Sequence, residues 1–248
     1  MRSIFRLLLV LCTSIFFAIP SRADDTNINC QGRVDVAIVL ALDVSESMDR
    51  VEWALEKKGY VEAFLDEKVV SAITSGSCGR IAVTVVQWGG MTSQQVAIPW
   101  KIINGRESAR AFSKQFSLLS DPVSRGTYIG QAVMFSIKLF ESPYANFVAS
   151  EEVIDMSGDG TESVAAGSQE QPYSMSFGTP ASVARQKAQE AGITINGLPI
   201  VQTGGGLESF YKTDVATVDG FVQAAYGYLQ FGSAIIDKLR REILLSQN

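Results

Sequence analysis

Histidine is absent from all 248 residues of the chain. Without it, a Ser-His-Asp or Cys-His catalytic triad cannot be built, and zinc sites that depend on imidazole ligands are excluded. General acid–base chemistry would fall to carboxylates, lysine or tyrosine. The sequence also lacks a phosphate-binding loop, a Gly-x-Ser-x-Gly elbow and a complete Gly-x-Gly-x-x-Gly fingerprint. These absences remove many familiar enzyme classes, and we expect the protein not to be an enzyme.

Cysteine is scarce, with three in the chain. Cys12 lies in the N-terminal apolar run, and Leu11 before it is not the small residue that a lipoprotein signal requires. Cys30 and Cys78 remain, and an even pair in an oxidising compartment predicts a disulfide. In the chain-entropy model such a bridge stabilises the fold by roughly 4 kcal/mol. A redox pair is the alternative, but the Cys-x-x-Cys spacing is missing.

Long hydrophobic runs are missing except near the N-terminus, where residues 7–19 carry no charge. That run is shorter than the ~20 apolar residues of a membrane-spanning helix. Two arginines precede it and the small residue Ala23 follows it, which is the layout of a cleaved secretory signal over residues 1–23. We therefore expect an exported protein, periplasmic or secreted, whose mature chain is 24–248 and has no integral membrane segment. An uncleaved N-terminal anchor is the alternative.

Positive charge is in short supply after the signal segment. Removing Arg2, Arg6 and Arg22 from the 21 basic residues leaves them well outnumbered by the 26 acidic ones. An acidic chain is a poor candidate for binding nucleic acid or an anionic membrane, because basic patches provide the affinity there. It is compatible with a cation site. The length suits one α/β domain over 24–248, and no repeat or composition break indicates a second domain.

Runs typical of buried strands alternate with helical patterns along the chain. The first run, Arg33 to Leu42, is almost unbroken in aliphatic residues, as expected for a strand buried on both faces of a parallel sheet. Further strands are predicted over 81–88, 94–100, 152–156 and 193–201, and helices over 49–73, 107–119, 127–140, 179–191 and 219–245. This alternation predicts an α/β, doubly wound, mostly parallel sheet with one short antiparallel edge strand and helices on both faces.

Three segments bring oxygen-bearing side chains to one edge of the predicted sheet. Asp43, Ser45 and Ser47 alternate directly after the first strand. Thr127 begins a predicted helix, and Asp159 follows a later strand. Ligands of such sheets bind at the carboxyl ends of the strands, and hard oxygen ligands suit Mg²⁺ or Mn²⁺ rather than zinc. Each residue alone also fits a helix cap, but all five in this order favour a metal site.

These segments resemble the metal-ion-dependent adhesion site (MIDAS) of von Willebrand factor type A (VWA) domains. Asp-x-Ser-x-Ser after the first strand, a later Gly-Thr and a later Asp at a strand end all occur in order. The resemblance runs from about Arg33 to Leu245 and implies a Rossmann-like VWA fold. More narrowly, VIDMSGDG and GITINGLPI resemble an uncharacterised bacterial family of exported proteins with this fold.

The resemblance also implies a role for each site residue. Ser45, Ser47 and Thr127 would be direct hydroxyl ligands. Asp43 and Asp159 would bind the ion directly or through water. One coordination position would remain for an acidic side chain of a partner protein, since two carboxylates leave a field that favours another anion. The predicted disulfide would lie at the opposite edge of the sheet.

The function predicted from these features is that of a metal-dependent adhesion or interaction module. A metal-assisted hydrolase using the same ion, with Glu46 nearby, is one alternative, and a scaffold whose metal only stabilises the fold is another. The polar stretch 160–178 is longer than the resemblance implies, which fits a functional loop or a disordered one. Trp88 and Tyr128 are candidate contact aromatics, and both also fit the core.

Overall fold

The structure is a computed structural model that describes residues 29–120, 124–163, 178–202 and 205–247. The predicted signal, residues 1–23, and most of the polar stretch 160–178 lie outside the described residues. The elements in chain order are β1 (Arg33–Asp43), α1 (Arg50–Leu65), α2 (Glu67–Ser75), β2 (Ile81–Trp88), β3 (Gln95–Ile103), α3 (Arg106–Ser117), α4 (Ile129–Phe140), β4 (Val148–Gly158), α5 (Ala181–Glu190), β5 (Thr194–Pro199), α6 (Leu207–Phe210), a π-helical turn (Tyr211–Val215) and α7 (Tyr228–Leu245).

The five strands form one sheet in the order β3-β2-β1-β4-β5. Strands β1, β2, β4 and β5 are parallel, and β3 pairs antiparallel with β2 at the edge. This confirms the predicted doubly wound sheet with its antiparallel edge strand. Asp43 pairs with Trp88, and Leu42 pairs with Ser157, so the carboxyl ends of β1, β2 and β4 meet at one edge.

Two apolar layers hold the sheet between its helices. On one face α1, α3 and α7 pack together: the ring of Tyr60 stacks on Phe116 at 4.9 Å and meets the tilted ring of Phe231 at 5.4 Å. On the other face α4 and α5 cover β1, β4 and β5. Strand β1 is buried along nearly its whole length because it lies in the middle of the sheet between both layers. Within the described residues, no helix combines the length and apolar character of a membrane span.

The predicted helix 49–73 is wrong in one respect, because the structure divides it at Asp66. The backbone of Asp66 is extended, and its carboxylate accepts hydrogen bonds from the amides of Lys68 and Val69. Aspartate at this position starts a new helix more favourably than it continues the old one. Val51 and Leu65 are exposed on α1, although their spacing fits an apolar stripe.

The prediction for the last helix, 219–245, is wrong at its start, because α7 begins at Tyr228. The preceding segment is extended along β5, where Gly197 and Val222 form a bridge. Gly220 makes this approach possible, since a Cβ there would lie 2.1 Å from the carbonyl oxygen of Ile195. The apolar residues of this segment pack on the edge of the sheet, and their spacing fits a strand as well as a helix.

A buried ion triad links α7 to the centre of the sheet. The ammonium of Lys238 lies 2.6 Å from Asp155 on β4 and 2.5 Å from Glu242 one helical turn away. All three side chains are fully buried. Burial raises the pKa of Glu242, and the charge of the nearby Asp155 raises it further, while the ammonium of Lys238 opposes the rise. The sequence does not reveal this triad, because charged residues of an amphipathic helix are usually exposed to solvent.

The amino-terminal edge of the sheet carries the predicted disulfide, which the structure forms between Cys30 and Cys78. Beside it lies the buried Asp35 at the start of β1. Its two oxygens accept hydrogen bonds from the amides of Cys78 at 2.7 Å and Arg80 at 3.0 Å. The bridge and this carboxylate together fix the starts of the two neighbouring strands β1 and β2.

Candidate metal centre

A chain of hydrogen bonds joins four of the five predicted site residues at the carboxyl edge. The amide of Ser45 donates to Oδ1 of Asp43 at 2.8 Å. The hydroxyls of Ser45 and Ser47 share a hydrogen bond of 2.9 Å, and Ser47 donates to Oδ1 of Asp159 at 2.7 Å. Residues separated by more than a hundred positions in the sequence are therefore in direct contact.

The loop that carries Asp43 and the two serines is fixed at both of its ends. On the strand side, the amide of Val44 donates to the carbonyl of Trp88, and the amide of Ser124 donates to the carbonyl of Val44. On the helix side, Asp49 caps α1 and forms a capping box with Glu52. With strand pairing on one side and a capped helix on the other, the loop has little freedom to rearrange.

Thr127 lies beside the turn that follows Asp159. Its hydroxyl oxygen is 3.4 Å from the point that a Cβ on Gly160 would occupy. The amide of Thr127 donates to the hydroxyl of Ser163, and the amide of Ser163 donates back to the carbonyl of Thr127, each at 2.8 Å. The predicted start of the helix at 127 is wrong by two residues, because α4 begins at Ile129. Thr127 thus lies in the loop before α4, next to the turn that follows Asp159.

The two carboxylates differ in how their second oxygens are bound. Oδ2 of Asp159 accepts a hydrogen bond of 3.3 Å from the hydroxyl of Tyr228 at the start of α7. Oδ2 of Asp43 is buried and has no hydrogen-bond partner. Burial raises the pKa of Asp43 to about 7, hydrogen bonds from Ser45 oppose this rise, and the charge of Asp159 adds to it. In the described residues, no salt bridge reaches either carboxylate.

This donor set fits a hard divalent cation. An unpartnered carboxylate oxygen, a second carboxylate and three hydroxyls converge on one edge of the sheet, and all are oxygen ligands of the kind that Mg²⁺ prefers. The described residues contain no group of three or more His, Cys, Asp or Glu side chains placed to hold a metal. A site here would therefore depend on the serine and threonine hydroxyls as much as on the carboxylates.

Trp88, Tyr128 and Glu46 are the remaining candidates from the sequence, and in the described part of the chain none of their side chains is hydrogen-bonded to the five site residues. Trp88 is fully buried in the layer beneath α4, so it belongs to the core. Tyr128 is partly buried and lies against the backbone of Gly126. Glu46 is exposed and lies 3.7 Å from the guanidinium of Arg125, which is still more exposed.

The sequence analysis did not single out Glu162, although this residue lies in the polar stretch 160–178. Its carboxylate accepts from the amide of Gly130 at 3.0 Å and from the amide of Ala181 at 2.6 Å. These amides belong to the first turns of α4 and α5, where a negative charge is favourable. One side chain therefore joins two helix starts next to Thr127. The only signal in the sequence is an acidic residue between two predicted helix starts, and it does not single out Glu162.

Comparison with solved structures shows the VWA fold. Proximal thread matrix protein 1 (PTMP1) from the mussel byssus, with a zinc-occupied MIDAS motif, is similar at TM-score 0.61 and 16% identity, over 86% of this chain and 48% of that chain. The vWF domain of the type V pili tip protein Mfa5 from Porphyromonas gingivalis is similar at TM-score 0.55 and 11% identity, over 87% and 97%. The pilus adhesin SpaC from Lactobacillus rhamnosus GG gives TM-score 0.54 and 12% identity, over 87% and 30%.

The chain spans about half the length of PTMP1 and less than a third of SpaC. At these identities the likeness shows the fold alone. No protein of curated function matches the chain. A family model described as "Protein of unknown function (DUF1194)" matches residues 33–247, which is most of the chain, and the protein therefore belongs to that family.

Proposed function

We propose that this protein is an exported interaction module that binds a partner protein through a divalent cation, Mg²⁺ or Mn²⁺. The observation that carries the proposal is the unpartnered, buried Oδ2 of Asp43 beside Asp159 and the linked serines. A buried carboxylate without a cation, donor or proton is costly, and a bound cation removes that cost. The arrangement is better suited to holding an ion than to capping a helix.

Ser45, Ser47 and Thr127 would hold the ion through their hydroxyls, and Asp43 and Asp159 through their carboxylates or through water. When bound, the ion would supply a positive charge that attracts an acidic side chain of the partner. The chain's own residues set the rest of the geometry. The hydrogen bonds from Ser47 and Tyr228 hold Asp159 at both oxygens.

The structural relatives support an interaction role. SpaC is a pilus adhesin, Mfa5 is a pilus tip protein, and PTMP1 has a MIDAS motif that was found with zinc. All three names refer to surface or matrix proteins, which agrees with the secretory signal predicted over residues 1–23. We propose a periplasmic or secreted location on these grounds, and a single domain over residues 24–248.

A peptide selection tests the proposal although the partner is unidentified. Random peptides displayed on phage are captured by the immobilised protein in Mn²⁺ and released with EDTA. We expect the released peptides to share an Asp or Glu, and synthetic copies with that residue changed to Asn or Gln to lose binding. A parallel selection keeps EDTA present throughout the capture step. If peptides are enriched equally there and in Mn²⁺, metal dependence is refuted.

The matched control is Asp43→Ala, which should capture no EDTA-released peptides. If wild type captures none either but hydrolyses generic phosphate or ester substrates in the presence of Mn²⁺, the hydrolase alternative replaces the binding proposal. If the ion raises the melting temperature without either result, the protein is a metal-stabilised scaffold.

A further inference from the structure

Tyr211 occupies a cradle formed by two glycines at the carboxyl ends of neighbouring strands. It opens the π-helical turn and is fully buried. A Cβ on Gly197 of β5 would lie 2.7 Å from its ring, and a Cβ on Gly158 of β4 would lie 2.7 Å from its hydroxyl. Any larger residue at either position would displace the tyrosine. The ring therefore packs against β4 and β5 because each strand has a glycine at the point of contact.

The hydroxyl of Tyr211 lies close to Oδ2 of Asp43. The same point above Gly158 that is 2.7 Å from the hydroxyl is 2.9 Å from this carboxylate oxygen. Both atoms are buried, and neither has a hydrogen-bond partner. The two oxygens are therefore within about 6 Å of each other, a span that one water bridges with two ordinary hydrogen bonds.

Physical chemistry favours a link between these two groups. A buried donor and a buried acceptor that are both unpaired each cost free energy, and a shared water satisfies both. The surroundings are polar: burial raises the pKa of Tyr211, and the charges of four nearby carboxylates raise it further, those of Asp43, Asp159, Glu56 and Asp155. The tyrosine is also held by a π-helical turn, a conformation that often occurs at functional sites.

We propose that Tyr211 is a positioning residue for the metal centre: its hydroxyl donates, through one water, to Oδ2 of Asp43 and fixes the orientation of that carboxylate. Tyr228, on the other face of the sheet, holds Asp159 by a direct hydrogen bond. The consequence for metal binding rests on the proposed function. The link between Tyr211 and Asp43 does not depend on a metal.

The first test measures Mn²⁺ affinity by calorimetric titration of the purified protein. Tyr211→Phe removes one oxygen and keeps the ring in its cradle, and we expect a loss of affinity of about 10- to 100-fold, which is typical when a partner of a metal ligand is removed. The matched control is Tyr60→Phe, because Tyr60 is also fully buried with an unpartnered hydroxyl, but lies on α1. Unchanged affinity in Tyr211→Phe, or equal losses in both variants, would overturn the positioning role.

The second test is a double-mutant cycle in EDTA, which gives an answer even if wild type binds no metal. We expect Tyr211→Phe to lower the urea midpoint of the wild-type protein and to leave that of Asp43→Ala unchanged, since the hydroxyl then has no partner to lose. Equal effects of Tyr211→Phe in both backgrounds would overturn the link. A wild type that binds no Mn²⁺ while the cycle shows coupling would refute the proposed function and retain the link.

Discussion

The central strand β1 carries a buried aspartate near each end, and the two have opposite surroundings. Asp35, at the amino edge, uses both carboxylate oxygens to accept backbone amides beside the disulfide. Asp43, at the carboxyl edge, has one oxygen bound by Ser45 and one with no partner. Both are almost completely inaccessible to solvent. The same residue type on one strand therefore has both oxygens hydrogen-bonded to backbone amides at one end, and one oxygen without a direct protein partner at the other.

Under the proposed function, this difference separates residues that maintain the fold from residues that bind the ion. At the amino edge the described residues satisfy both oxygens of Asp35 and form the disulfide, so changes there should affect stability and leave the metal response intact. At the carboxyl edge the fold tolerates a buried carboxylate oxygen, Oδ2 of Asp43, that has no hydrogen-bond partner. Changes there should therefore affect the metal response more than stability. Four predictions test that division.

The largest effect should come from the disulfide. Replacing Cys30 and Cys78 together by serine should lower the free energy of unfolding by about 4 kcal/mol, because the unfolded chain gains loop entropy. Urea unfolding of wild type and the double variant measures this loss. The rise in melting temperature caused by Mn²⁺ should be the same in both proteins, and a lost metal response in the double variant would contradict the separation of the two edges.

The free energy of unfolding of the metal-free protein should depend on pH because the pKa of Asp43 is raised in the folded state. Burial raises its pKa from 3.8 to about 7, so between these values the folded protein holds a proton that the unfolded chain releases. The free energy of unfolding should therefore fall as pH rises through this window, by up to about 4 kcal/mol from this group.

Other buried acids titrate too, so the measured quantity is the difference between wild type and Asp43→Asn in EDTA. That difference should change steadily between pH 4 and pH 7. A difference that is independent of pH would show that Asp43 is already ionised and stabilised by the fold.

Asp35→Ala should destabilise the protein by about 3 kcal/mol, because it leaves the amides of Cys78 and Arg80 without acceptors. Urea unfolding with and without Mn²⁺ measures both stability and metal response. The metal should still raise the midpoint of this variant. A variant that is fully stable, or one that is stable but no longer responds to metal, would contradict the structural role given to Asp35.

The smallest effect should come from Arg125→Ala, which removes the exposed pair with Glu46 next to the site. Exposed ion pairs contribute little, so the free energy of unfolding should change by less than about 0.5 kcal/mol. Mn²⁺ affinity should also stay within a factor of two to three, about the same energy. A large loss of affinity would add Arg125 or Glu46 to the site.

The sequence predicts the sheet well because its parallel strands are apolar and separated by helices. It predicts the five site residues as a group because each follows a strand end or precedes a helix. The structure joins Asp43, Ser45, Ser47 and Asp159 by hydrogen bonds and places Thr127 beside Gly160. It does not predict Tyr211 or Tyr228, since no spacing relates them to Asp43 and Asp159. The extended segment before α7 is missed because Phe221 and Val222 fit a helical stripe as well as a strand.

The central claim is that a divalent cation binds at Asp43, and thermal unfolding tests it most directly. Wild type, Asp43→Ala and Asp35→Ala are melted in EDTA, Mg²⁺ and Mn²⁺. We predict that Mg²⁺ or Mn²⁺ raises the melting temperature of wild type and of Asp35→Ala, and does not raise that of Asp43→Ala. At an ion concentration of a hundred times the dissociation constant, the stabilisation is about 2.7 kcal/mol. No shift in wild type, or an equal shift in Asp43→Ala, would contradict the claim.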